Sequence, residues 1–118
     1  ETAVLDAIKQ WAAWAEESRN LILAGRGAEI GPLMNQAFDL RASLIAISPG
    51  NLELIQRGRK LGACTQFAGS GGAIVGCYDG DPDRLARLSQ SYEEMGAQLF
   101  VPEIQAPAPQ PKRRKNDL

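Results

Sequence analysis

Gln66-Phe67-Ala68-Gly69-Ser70-Gly71-Gly72-Ala73-Ile74-Val75-Gly76 is the stretch whose reading decides the fold. An apolar run is broken by a glycine cluster and resumed by β-branched residues. Three glycines and a serine in four positions remove Cβ atoms where the backbone must turn sharply or meet something closely. Successive free N–H groups in such a turn form a concave nest for an anion, phosphate above all. A flexible hairpin with no ligand is the plainer alternative, because short glycine patterns recur by chance. Ala63 to Ala68 reads as a strand, and Ala73 to Tyr78 as a second with Ile74-Val75 at its centre. A loop of this length favours antiparallel pairing of the two.

The element excludes two familiar phosphate sites. A P-loop needs strand, G-x-x-x-x-G-K-[ST] and helix, whereas here a strand follows and no lysine is present. Gly69, Gly71 and Gly72 also lack the dinucleotide spacing, and no helix follows to aim its dipole at a pyrophosphate.

Upstream, three helices are expected. The first, Thr2 to Ala24, repeats Val4, Ile8, Trp11, Ala15 and Ile22 at helical spacing, with Leu5, Ala12 and Trp14 widening the stripe. Trp11 and Trp14 are expected as core residues, with a ligand platform as the alternative. The second runs from Ala28 or Glu29 to Ile45, with Pro32 tolerated in its first turn. Asn35 and Asp39 stand four apart on one face, and Arg41 lies three beyond Phe38 on the next. The third spans Leu52 to Leu61, with Ser48 and Asn51 as candidate caps and Arg57, Arg59 and Lys60 suiting the helix dipole at its end. Downstream, Asp79-Gly80-Asp81-Pro82 caps a fourth helix, Asp83 to Gly96, burying Leu85, Leu88, Tyr92 and Met95. Gln98 to Ile104 reads as a last strand demoted by Pro102. Residues 105–118 read as a proline-rich linker and a solvated tail ending in Lys112-Arg113-Arg114-Lys115.

Composition excludes several function classes. The 118 residues are 44% hydrophobic and 23% charged, with a formal net charge of −1, so there is no general attraction to nucleic acid or to membrane. There is no histidine, which removes His-based triads and nearly all zinc sites. No metal ligand set is expected. Cys64 and Cys77 are read as apolar filler, with a disulfide as the alternative if their segments pair. No apolar run has membrane-spanning length and no signal-peptide pattern occurs, so a cytoplasmic chain is expected. It begins at Glu1 and enters helix at once, as expected of a piece of a longer protein. Three strands leave an edge unpaired, which suggests a further strand or domain upstream, or a homodimer formed by self-association.

Leu33-Met34-Asn35-Gln36-Ala37-Phe38-Asp39-Leu40-Arg41, the helix from Leu52 to Ala63, and Phe67-Ala68-Gly69-Ser70-Gly71-Gly72-Ala73-Ile74-Val75 together resemble the C-terminal domain of GHMP kinases. That superfamily holds the galactokinase, homoserine kinase, mevalonate kinase and phosphomevalonate kinase families. The likeness runs from about Ala3 to Ile104, and the same segments look closest to glucuronokinase-like sugar kinases. It implies an α+β fold, a ferredoxin-like sandwich with an antiparallel sheet against several helices, over residues 1–104. It also implies ATP and Mg²⁺ bound mainly by an N-terminal kinase domain, which carries the catalytic residues, so that none lies in this chain. The glycine loop, Gly69, Ser70, Gly71 and Gly72, then leans on the phosphate site from this side. Many members carry a basic residue just before the loop, where this chain has Gln66. Asn35, Asp39 and Arg41 are the expected contacts to an acceptor sugar or sugar acid, Arg41 by a two-pronged bond to a carboxylate. Mevalonate or homoserine as acceptor, or a non-enzymatic ferredoxin-like ligand- or partner-binding module, are the alternatives.

Overall fold

The computed structural model describes residues 2–103. Helix α1 spans Thr2–Leu23, a single 3₁₀ turn covers Gly27–Ile30, α2 spans Gly31–Leu44 and α3 Pro49–Lys60. Strands β1 (Cys64–Phe67) and β2 (Ile74–Cys77) follow, and then α4 (Pro82–Glu94). The result is a small mixed α+β unit: four α-helices and a two-stranded antiparallel sheet.

Helices α3 and α4 begin, and α3 ends, where the sequence chemistry demands. Ser48 Oγ accepts from the Asn51 N–H at the start of α3, at 3.4 Å, and Asp81 Oδ1 accepts from the Asp83 N–H at the start of α4, at 3.0 Å. These side chains satisfy N–H groups that have no partner within the helix. At the end of α3 the Ala63 N–H reaches the Gly58 carbonyl and the Gly62 N–H that of Arg59, both at 3.0 Å. This two-bond turn needs Gly62 at φ +89°, a conformation that a side chain would strain.

The hairpin pairs Cys64 with Cys77, Thr65 with Gly76, Gln66 with Val75 and Phe67 with Ile74. Thr65 and Phe67 point into the core while Cys64 and Gln66 are half-buried, the period-two pattern of a strand with one buried face. Two apolar clusters meet at Ile74. One joins Phe38, Ile55 and Phe67, with Ile47 and Leu52 packed on it. The other joins Ala63, Leu88 and Tyr92 with Leu54, Tyr78, Met95 and Leu99. Helix α3 runs between them, and Gly58 lets it lie close: a Cβ there would meet Thr65 Cγ2 at 2.6 Å and Tyr92 Oη at 2.7 Å.

Two expectations are corrected. The last strand does not form over residues 98–103, which have no ladder partner, and Phe100 is 79% exposed. Neither strand of the hairpin takes it up, and Pro102 lacks an N–H for a ladder. Trp11 and Trp14, expected in the core, are half-buried and join neither cluster, and the apolar stripe of α1 is largely uncovered, with Val4, Leu5, Ile8 and Ile22 exposed and Ala7 the residue it buries. The helix lies against α2 and the 3₁₀ turn, so only a narrow part of its wide stripe is covered. Ile104, residues 105–118 and the Lys112–Lys115 run lie outside the described residues. Within them, no helix is long and apolar enough to cross a membrane.

Half-buried Cys77 and buried Tyr92 make the fold less stable at alkaline pH. Burial pushes the Cys77 thiol up, and the neighbouring Cys64 adds to this. Burial also raises the Tyr92 phenol, against the lowering effects of a backbone hydrogen bond from Gly58 and the charge of Arg57. Both groups fold in their neutral form, so their contribution is whole below the unfolded-state values, 9.0 for the thiol and 10.0 for the phenol. It is lost as pH rises through the folded values. The urea midpoint should therefore fall from about pH 9 upward, and in Cys77→Ser the fall should begin about one pH unit later.

Candidate functional site

The glycine loop between β1 and β2 is held from two sides. Gly69, Gly71 and Gly72 adopt φ of +87°, +130° and +80°, so the turn depends on residues without a Cβ. From α2, Arg41 Nη1 donates to the Gly69 carbonyl at 3.0 Å, and Nη2 makes a longer bond to that of Ser70 at 3.5 Å. The same guanidinium stacks over the Phe67 ring, 5.0 Å from its centroid, and Phe67 meets Phe38 edge-on at 5.1 Å. From α3, Asn51 Oδ1 accepts the Gly72 N–H at 3.0 Å. Carbonyls on one side of the loop and an N–H on the other are thus already satisfied. Among the described residues, nothing in the protein accepts the Gly69 and Ser70 N–H groups.

This arrangement suits an anion. The Gly69 and Ser70 N–H groups are left as donors at a glycine turn, Ser70 brings a hydroxyl to the same turn, and the Arg41 guanidinium is bonded to it. It does not suit Mg²⁺, because none of the side chains bonded to the loop is a carboxylate. Among the described residues no three His, Cys, Asp or Glu side chains cluster to hold a metal ion. The loop residues fit an anion such as a phosphate group and not a metal ion.

Beside the loop lies a cleft of about 320 Å³ lined by Trp11, Ala37, Phe38, Arg41, Ile45, Gln66 and Phe67. Trp11 is half-buried, and its Nε1 donates to the Ala37 carbonyl at 3.1 Å, pinning α1 to α2 and standing the indole at the cleft wall. Arg41 lines the cleft and bonds the loop, and Phe67 ends the strand that leads into it, so whatever enters the cleft lies next to the glycine loop. A larger groove of about 500 Å³ runs between α3 and α4, but it shares no residue with the loop. Its central cation, Arg57, is already bonded to Glu53 and to the Ser91 carbonyl.

Of the three residues expected to contact an acceptor, the fold brings Arg41 to the loop. Asn35 Oδ1 accepts the Thr65 N–H at 3.0 Å, closing the outer edge of β1. Asp39 pairs with Arg59 at 2.8 Å, whose guanidinium also lies over Phe38. Asn51, expected as a helix cap, braces the loop instead. Its place in the first turn of α3 carried no signal of a partner 21 positions away. Trp11, expected in the core, is half-buried, joins neither apolar cluster and lines the cleft.

The chain is similar to kinases that act on sugars, and the similarity extends over about four fifths of the chain. The chain is 31% identical over 96 residues to probable glucuronokinase 2 of Arabidopsis thaliana, covering 79% of this chain and 26% of that protein. It is 28% identical over 99 residues to glucuronokinase 1 of the same plant, covering 81% and 27%. The chain therefore spans about a quarter of the length of the curated relatives it matches. No family model and no solved structure matches it.

Proposed function

We propose that residues 1–104 form the C-terminal domain of a GHMP-type, ATP-dependent kinase that transfers a phosphoryl group to a hydroxyl of a glucuronate-like sugar acid, giving the sugar 1-phosphate. The observation that carries this reading is the braced glycine loop with two free N–H groups, lying in a segment similar to glucuronokinases. In it the ferredoxin-like sheet is completed, and the catalytic base and Mg²⁺ ligands supplied, by an N-terminal kinase domain. The ATP–Mg²⁺ complex supplies the transferable phosphoryl group.

Phosphoryl transfer asks a protein chiefly for positioning and for donors aimed at dispersed negative charge. The Gly69 and Ser70 N–H groups and the Ser70 hydroxyl serve as such donors, and Gly71 and Gly72 give the loop its shape. The cleft beside them takes the acceptor. Trp11 offers an apolar face to the C–H side of a sugar ring, Gln66 a hydrogen-bonding amide, and Arg41 the N–H groups left over from the loop for a carboxylate. Asn35 and Asp39, on the same helix, remain acceptor candidates, Asp39 through its exposed carboxylate.

An acceptor panel on the full-length protein tests this. Glucuronate should be turned over with a kcat/KM at least about tenfold above that for galactose, mevalonate or homoserine, the scale of one charge-assisted contact. Preference for an acceptor without a carboxylate would refute the assignment.

A further inference from the structure

Cys64 and Cys77 lie directly opposite one another at the end of the hairpin away from the glycine loop. The Ala68 N–H bonds to the Ala73 carbonyl at 3.0 Å, while the Thr65 N–H turns outward to Asn35. With the alternation of an antiparallel ladder, these two facts make Cys64–Cys77 a hydrogen-bonded pair. Such pairs hold their Cα atoms about 5.5 Å apart, inside the roughly 4.4–6.8 Å that a disulfide spans.

The side chains share more than a register. Directly opposed residues point to the same face of a sheet, and both sulfurs converge on Gly31 at the start of α2. A Cβ at that glycine would stand 2.8 Å from Cys64 Sγ and 3.4 Å from Cys77 Sγ. Cys77 Sγ also donates to Met34 Sδ at 3.6 Å. Both cysteines are free and half-buried.

We propose that Cys64 and Cys77 form a reversible intrachain disulfide at the base of the glycine-loop hairpin, made by exchange with a low-molecular-weight disulfide of the glutathione class. One cysteine thiolate attacks a sulfur of the reagent, forming a mixed disulfide and expelling one glutathione thiolate. The second cysteine attacks the protein sulfur of that mixed disulfide, forming the Cys64–Cys77 bond and expelling the second glutathione. Two protein thiols are oxidised, one glutathione disulfide is reduced to two glutathiones, and the two thiol protons leave with them. The Cβ atoms of an opposed pair sit about 4.5–5.5 Å apart, beyond the roughly 3.8 Å mean of a disulfide. The bond therefore forms only as the hairpin tightens, and the strain makes it readily reducible. Closing this ring restricts the hairpin that presents Gly69–Gly72. The site stands on the hairpin alone, whatever the loop binds.

The experiment is equilibration of the 118-residue chain in glutathione buffers from fully reduced to fully oxidised, with acid quench, alkylation, trypsin and mass spectrometry. No lysine or arginine lies between the cysteines, so both fall in one tryptic peptide, 61–84. Oxidation should convert this peptide to a form two hydrogens lighter that takes no alkylating agent, and reduction should restore it. In Cys77→Ser, one glutathione should stay on Cys64. Disulfide-linked dimers, glutathione retained on both cysteines of the unaltered chain, or two alkylatable thiols at every ratio would each overturn the proposal.

Discussion

Arg41→Ala in the full-length protein should lower kcat/KM for the sugar acid by about 10²-fold or more, an effect of about 3 kcal/mol, the size expected of a charge-assisted donor lost from a reacting site. Two roles fail together. The guanidinium bonds the Gly69 and Ser70 carbonyls, so its loss frees the loop and lowers kcat. It also lines the cleft, so the acceptor KM should rise. Arg41→Lys should recover part of the KM but little of the kcat, because an ammonium cannot reproduce the fork that spans two neighbouring carbonyls. Steady-state kinetics on both variants separate the roles. An unchanged acceptor KM in Arg41→Ala would remove the carboxylate contact, and an unchanged kcat would remove the brace.

Ile55→Ala should be the most damaging single truncation in the core. Ile55 is 0% exposed and joins Phe38 and Phe67, the ring on which Arg41 stacks. Its carbonyl also accepts the Thr65 hydroxyl at 3.0 Å, so α3 and β1 share the cavity that truncation opens. Large-to-small substitutions at such sites cost about 2–5 kcal/mol, a large part of the roughly 5–15 kcal/mol that holds a domain folded. Urea unfolding should show an unfolding free energy lowered by that amount, with an earlier midpoint and an unchanged slope. A loss under about 1 kcal/mol would mean that the site collapses around the smaller side chain.

Much of the fold was legible because it is local. Helical spacing located all four helices, and the glycine loop with its flanking β-branched residues located the hairpin. A loop that short leaves few registers, and the observed one sets Cys64 against Cys77. The missing strand shows the limit. Leu99-Phe100-Val101 has strand composition, but a strand forms only with a partner, and the hairpin provides none among the described residues. Trp11 and Trp14 are expected in the core because they are large and apolar, yet burial depends on what lies opposite, and both stay half-buried. Exposed Val4, Leu5 and Ile8 accord with the proposed second domain.

The site was legible in its backbone and less so in its side chains. Glycine spacing marks a turn and its N–H groups from sequence alone. Which side chains reach that turn depends on how α2 and α3 lie over the hairpin, and that is long-range information. Arg41 was selected for its charge and meets the loop 28 residues away. Asn51 serves the loop from a position that looks like an ordinary cap. Asn35 and Asp39 share Arg41's helix but find nearer partners in Thr65 and Arg59.

The central claim is that Gly69–Gly72 is half of a phosphoryl-transfer site, completed by a domain outside this chain. Its most direct test is phosphorus NMR of ATP and glucuronate incubated in parallel with the 118-residue chain and with the full-length protein. The account predicts a sugar 1-phosphate resonance with the full-length protein and none with the chain alone. Product from the isolated chain, or none from a folded full-length protein, would contradict it.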